Sequence, residues 1–414
     1  MNNRVSVVAV GSPVHPLQQR TKAFHMLLKS IEDRGLDVEV VAEPISSMEE
    51  VWSIRHKILS LDKPLVILHL TGGTSKLAVE VAKWCNTPIT LVTHGEGNSL
   101  PSGLETLVRL KRLGLSAKIE FLEPSSGTLK IKELESVFVG CMTIIGEVSP
   151  RTFDITCPAT LAHRLKVKIM HLAEEELEKY LERHVRDAEL SHSFLSEFRG
   201  EVRVPVQELQ LSLALKEAIK EAVEKMKCNV FTVDCFEILK RISVTPCLAI
   251  SLLSEEGFLG ICEADVQAAA CMIAIRELVH PFMGNIVAVN DESVTLAHCT
   301  AATVLASNIS KVKLKSHFET DRSVAVDVPL RLGEAVMISC DPQLRDAYVV
   351  ECYIDRSQLE KESMCRTQVL LRLKSKQSKV LAEWPGGHAV LAVQVGLTEV
   401  KNALLKRGFT VKEL

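Results

Sequence analysis

The chain has 414 residues, 47% of them hydrophobic and 24% charged, with a formal net charge of -3. That length serves two or three domains with cores of their own, and the composition excludes a disordered chain. The near balance of 49 basic and 52 acidic residues gives no sign of the concentrated basic surface that a nucleic-acid or anionic-membrane partner needs, and neither partner is expected.

In chain order, residues 5–10 read as a buried strand that stops at Gly11, and residues 17–34 as an amphipathic helix ending near Gly35. A second strand (38–42) and helix (48–61) follow. Residues 64–70, PLVILHL, form a continuous apolar run bounded by Pro64 and the turn Thr71-Gly72-Gly73-Thr74. A helix over 75–84 and a strand over 88–93 come next, then an apolar strand over 137–145. Strands alternating with helices predict a doubly wound parallel sheet. The scarcity of aromatics, 4%, suits such a core of aliphatic side chains.

Residues 161–186 and 207–227 are charged with apolar positions at helical spacing, and predict two solvated amphipathic helices. Between 230 and 278 the pattern predicts a strand at 230–233, a short element at 235–241, runs at 244–252 and 258–262 that read as strands or buried elements, and an Ala-rich helix over 264–278. From Ser293 short β-like runs dominate, with period-two alternation in Lys311–Lys315, and predict an antiparallel barrel or sandwich before a last helix at 398–407. The expected architecture is α/β: a Rossmann-like domain over 1–155, a helical or α/β middle domain over 156–292, and a C-terminal β-barrel-like domain over 293–414.

No apolar stretch behind a basic start marks a leader, and no apolar run reaches the length of a membrane span. The expectation is a cytoplasmic protein. Its twelve cysteines form no CxxC pair and sit mostly inside apolar runs, as at Cys141, Cys247 and Cys271. In a reducing compartment they read as small buried hydrophobes.

The residues that could carry chemistry lie between Cys262 and His388. Glu263 follows the apolar run 258–262, with Asp265 two residues on; His298 ends the run 294–297, His317 ends the alternating strand 311–316, and His388 follows a double glycine. Strand ends are where α/β proteins place reactive groups. A buried carboxylate or imidazole needs a partner, and imidazole nitrogen with carboxylate oxygen suits Mn(II), Fe(II), Co(II) or Zn(II). Each histidine, taken singly, also reads as a satisfied core or surface residue, and Glu263 as a helix-terminal acid favoured by the dipole. The Thr71–Thr74 turn lacks GxGxxG spacing, so no dinucleotide is expected, but its backbone N–H groups suit an anion or a sugar hydroxyl.

Cys262-Glu263-Ala264-Asp265-Val266-Gln267-Ala268-Ala269 resembles the glutamate-x-aspartate helix start of L-arabinose isomerases. His69-Leu70-Thr71-Gly72-Gly73-Thr74, the segment from Asn98 to Glu105 (NSLPSGLE) and Ile145-Gly146-Glu147-Val148-Ser149-Pro150 resemble the corresponding turns of L-fucose isomerases. The resemblance implies a metal-dependent aldose–ketose isomerase working by proton transfer through an enediol. Its divalent metal, Mn2+ foremost, would be held by Glu263, His298, His317 and His388. Glu263 and Asp265 would be catalytic. Thr71, Gly72, Gly73, Thr74, Asn98 and Trp384 would bind a sugar or sugar derivative. A homo-oligomer, trimer or hexamer, is implied as well. His298 stands where the family has a second carboxylate. That departure keeps two alternatives open: a non-catalytic sugar-binding protein, or a metal-dependent lyase or epimerase.

Overall fold

A computed structural model describes residues 4–122, 140–146, 156–186, 189–290, 293–375, 380 and 382–414. Most of the Gly146–Pro150 turn, and the start of the strand expected at 137–145, lie outside the described residues. The chain divides into two compact units, Met1–Gly140 with Thr156–Ile169, and Cys141–Ile155 with Met170–Leu414.

The first unit is built on strands β1 (Arg4–Val10), β2 (Asp37–Val40), β3 (Leu65–His69), β4 (Ile89–His94) and β5 (Ala117–Leu122). They form a parallel sheet in the order β2-β1-β3-β4-β5. Helices Leu17–Glu32, Met48–Leu59, Ser75–Lys83 and Ser99–Arg112 connect them. β3 and β4 are buried at every position, which is why they read as unbroken apolar runs rather than alternating ones. Ser47 and Glu50 close a reciprocal capping box at the start of the second helix, satisfying two of its free N–H groups.

The chain continues with β6 (Gly140–Ile145) and β7 (Val167–Leu172), each of which runs across the division between the units, and with β8 (Glu201–Val202), β9 (Val230–Val233) and β10 (Leu259–Cys262) in the second unit. Four of these make a sheet in the order β10-β9-β6-β7, with β9 parallel to both β10 and β6. The remaining strands are β11 (Phe282–Val289), β12 (Val294–His298), β13 (Lys313–Lys315), β14 (Ala325–Asp327), β15 (Gly333–Cys340), β16 (Asp346–Ser357), β17 (Thr367–Leu373), β18 (His388–Val393) and β19 (Thr410–Glu413). Six of them, β15-β18-β11-β12-β17-β16, close on themselves through the β15–β16 pairing as an antiparallel barrel, and β19 adds to β16 in parallel. Phe282, Leu296, Met337, Val350, Val369 and Leu391 are among the buried side chains of its core. The fold is α/β, with parallel sheets and a closed six-stranded antiparallel barrel.

Four local expectations are corrected. Residues 161–186 are not one helix: Lys166 in the left-handed conformation ends the helix Pro158–Leu165, β7 follows, and a helix resumes at Glu174. Val167 and Ile169 are buried on either side of exposed Lys168, a strand signal that the surrounding charge obscures. The run 244–252 contains the helix Cys247–Leu253, not a strand. The barrel starts before Ser293, with β11, whose apolar run the pattern did not flag. Cys141 is not a free thiol but is bonded to Cys228.

Candidate metal centre

β10 carries the site to its position. Its four residues are buried, and Gly260 lets the strand pass close to its neighbours, since a Cβ there would stand 2.8 Å from the Phe231 ring. After Cys262 the chain turns through Glu263 (φ 61) and Ala264 (φ 47). Asp265 N–H donates back to Cys262 C=O at 3.4 Å, and Ala264 N–H to Val233 C=O at 3.1 Å. Two successive left-handed residues with side chains cost about 1–2 kcal/mol each, and such strain concentrates at functional sites. Asp265 then caps the helix Val266–Ile275, its Oδ1 accepting from Ala268 N–H at 2.8 Å.

The histidines come from the barrel. Asn285 on β11 pairs with Ala297 on one side and with His388 on the other. That register brings His298, the last residue of β12, and His388, the first of β18, to the same barrel end. Their rings lie 6.2 Å apart between centroids. Glu263 faces both: Oε1 is 3.5 Å from His298 Nε2, and Oε2 is 3.5 Å from His388 Nε2. The three residues offer ligand atoms within 4.8 Å of one another.

This set fits a divalent cation on three counts. Both Nε2 atoms are buried with no hydrogen-bond partner. Two ligand atoms about 2.1 Å from one ion at a tetrahedral angle stand about 3.4 Å apart, close to the two 3.5 Å separations here. His388 Nδ1 bonds Asp265 Oδ2 at 2.7 Å, which puts the proton on Nδ1 and leaves Nε2 its lone pair, the usual outer support of a ligating histidine. One contact opposes the fit. Thr300 N–H donates to His298 Nδ1 at 3.3 Å, which places that ring's proton on Nε2; ligation through Nε2 requires this long bond to give way.

Burial disfavours a charged His388, but the Asp265 hydrogen bond and the Asp265 and Glu263 charges outweigh it, holding its pKa above the ordinary value. Asp265 has both oxygens engaged, one as a cap and one on His388, so its position suits orienting His388. Trp384 donates its indole N–H to His388 C=O at 3.1 Å and packs against the barrel core.

His317 lines the same cavity, of about 470 Å³, as Glu263 and His298, but the triad does not include it. Its Nδ1 lies 3.4 Å from Thr320 Oγ1. The neighbouring Cys365 thiol and His317 imidazole outweigh burial and hold the Cys299 pKa below its ordinary value. Burial opposes charge on His317 too, but the Cys299 contact leaves its pKa raised. Cys299 and Cys365 were not singled out by sequence; only the adjacency of Cys299 to His298 pointed to them.

Thr71–Thr74 and Asn98 belong to the first unit. Gly72 N–H donates to Gly97 C=O at 2.6 Å, and a Cβ on Gly72 would meet the Asn98 Cβ at 2.8 Å. Thr74 Oγ1 lies 2.9 Å from both His69 Nδ1 and Ser102 Oγ. Burial pushes the His69 pKa down to about 4.

No helix among the described residues is long and apolar enough to cross a membrane. A comparison with protein-family models and one with curated proteins find no match to this chain.

Proposed function

We propose that the chain is a metal-dependent aldose–ketose isomerase. The observation that carries this reading is the Glu263 carboxylate set between two buried, otherwise unpartnered imidazole nitrogens. Its proton chemistry and its sugar come from the resemblance of the 262–269 segment to L-arabinose isomerases. A divalent cation held there by Glu263, His298 and His388, Mn2+ the first to test, would supply Lewis acidity. Glu263, at a strand end and partly exposed to the cavity, takes the proton from the carbon beside the carbonyl and returns it to the neighbour. Asp265 keeps the His388 proton on Nδ1. Phe236 and Phe318 line the cavity with Glu263 and Glu319, and among the described residues no lysine or arginine lines it, which favours a neutral sugar over a phosphorylated one. The parallel sheets are taken as Rossmann-like, and the protein as a cytoplasmic homo-oligomer, trimer or hexamer.

The Thr300–His298 contact and the single carboxylate among the three clustered side chains favour a second reading, a sugar-binding protein without turnover. Elemental analysis with a sugar-isomerisation screen separates the two. Bound metal with turnover that Glu263→Gln abolishes supports the isomerase. Sugar-dependent thermal stabilisation without turnover supports the binding protein. No metal after incubation with Mn(II), Co(II) and Zn(II) sinks the isomerase.

A further inference from the structure

We propose that Cys299 and Cys365 form a redox-active dithiol in the cavity wall, closing to a disulfide on exposure to hydrogen peroxide. The barrel register brings them together. His298 on β12 pairs with Thr367 on β17, so Cys299 directly follows the end of one strand and Cys365 lies two residues before the start of its partner, both at the same end of the barrel. Cys365 packs against the buried cluster that holds Cys299, and the Cys365 thiol and the His317 imidazole both act electrostatically on the Cys299 sulfur. Both sulfur-bearing residues line the cavity. Among the ten free cysteines nine are buried, and Cys365 alone is partly exposed, which gives a small oxidant a way in.

The chemistry balances with peroxide as the two-electron oxidant. The Cys299 sulfur attacks one peroxide oxygen and the O–O bond breaks. A sulfenic acid forms, and the other oxygen leaves as water with the thiol proton. The Cys365 sulfur then attacks the sulfenic sulfur, the S–S bond forms, and the sulfenic oxygen leaves as a second water with the Cys365 proton. The bond ties Cys365 and its neighbours Ser363 and Met364, all cavity-lining, to the strand end that carries His298. Access to the cavity then depends on redox state.

The test is peptide mapping by mass spectrometry on the full chain, stripped of metal by a chelator so that the outcome is independent of the metal reading. Peroxide treatment followed by alkylation should yield a cross-linked peptide pair holding Cys299 and Cys365, lost on adding a thiol reductant. In Cys365→Ser the cross-link should vanish, and a diketone probe should trap sulfenic acid at Cys299. Alkylation of both cysteines after peroxide, or a cross-link from Cys299 to Cys247 instead, would overturn the proposal.

Discussion

Two regions of this molecule end a buried strand in histidine, and they differ in what the imidazole meets. In the first unit His69 closes β3 among hydroxyls, with Thr74 on Nδ1 and Ser102 beyond it. In the second, His298 and His388 face a carboxylate that stands between them. Burial alone makes the first histidine a poor base, holding its pKa near 4. The carboxylates reverse that sign at His388, whose pKa is raised although burial pulls it down. Histidine at a strand end is therefore not the mark of a metal centre; the carboxylate beside it is.

The comparison breaks most visibly at Glu263. Glu263→Gln should weaken metal binding by more than about 100-fold, because losing a ligand exceeds the 10- to 100-fold effect of losing an outer partner. Titration calorimetry reads this. Full retention of metal would mean that the ion sits elsewhere, and the contrast between the two regions would fail.

Acid tests the other side. A histidine whose folded pKa is lowered binds its proton more readily when unfolded, so its neutral burial contributes fully above the unfolded value of 6.5. That contribution is lost as pH falls toward 4. His69 should destabilise the fold by about 3 kcal/mol across that window, and its imidazole NMR resonances should titrate near 4. The His388 resonances should titrate above the ordinary histidine value. Equal midpoints for the two would remove the electrostatic distinction.

Asp265→Ala sharpens the comparison by stripping the support from His388. Metal affinity should fall about 10- to 100-fold, and loss of the helix cap should lower stability by about 1 kcal/mol. An affinity unchanged from wild type would show that the 2.7 Å bond does not orient the ring for a ligand.

The smallest effect concerns backbone strain. Glu263→Gly should raise the stability of the metal-free protein by about 1 kcal/mol, since glycine adopts φ 61 without penalty. Urea denaturation measures it. A loss of stability instead would mean that the Glu263 side chain supports the fold beyond what its conformation costs.

Much of this architecture was legible in the sequence. Unbroken apolar runs such as Leu65–His69 marked buried parallel strands, and period-two runs after Ser293 marked the barrel. Glu263, His298 and His388 stood out because each ends or opens an apolar run. What failed was local: β7 hid inside a charged stretch, and the helix Cys247–Leu253 is buried at nearly every position, which leaves no periodicity to separate it from a strand.

Local side-chain pattern, acting over a few residues, determined where strands and helices form and which groups stand at their ends. The meeting of Glu263 with His298 and His388, the exclusion of His317 from that group, and the contact of Cys299 with Cys365 were decided by tertiary structure alone. They depend on barrel register, in which Asn285 aligns Ala297 with His388. A slip of one residue turns every side chain of a strand to the opposite face, and no local signal in the sequence encodes which of the two registers closes the barrel.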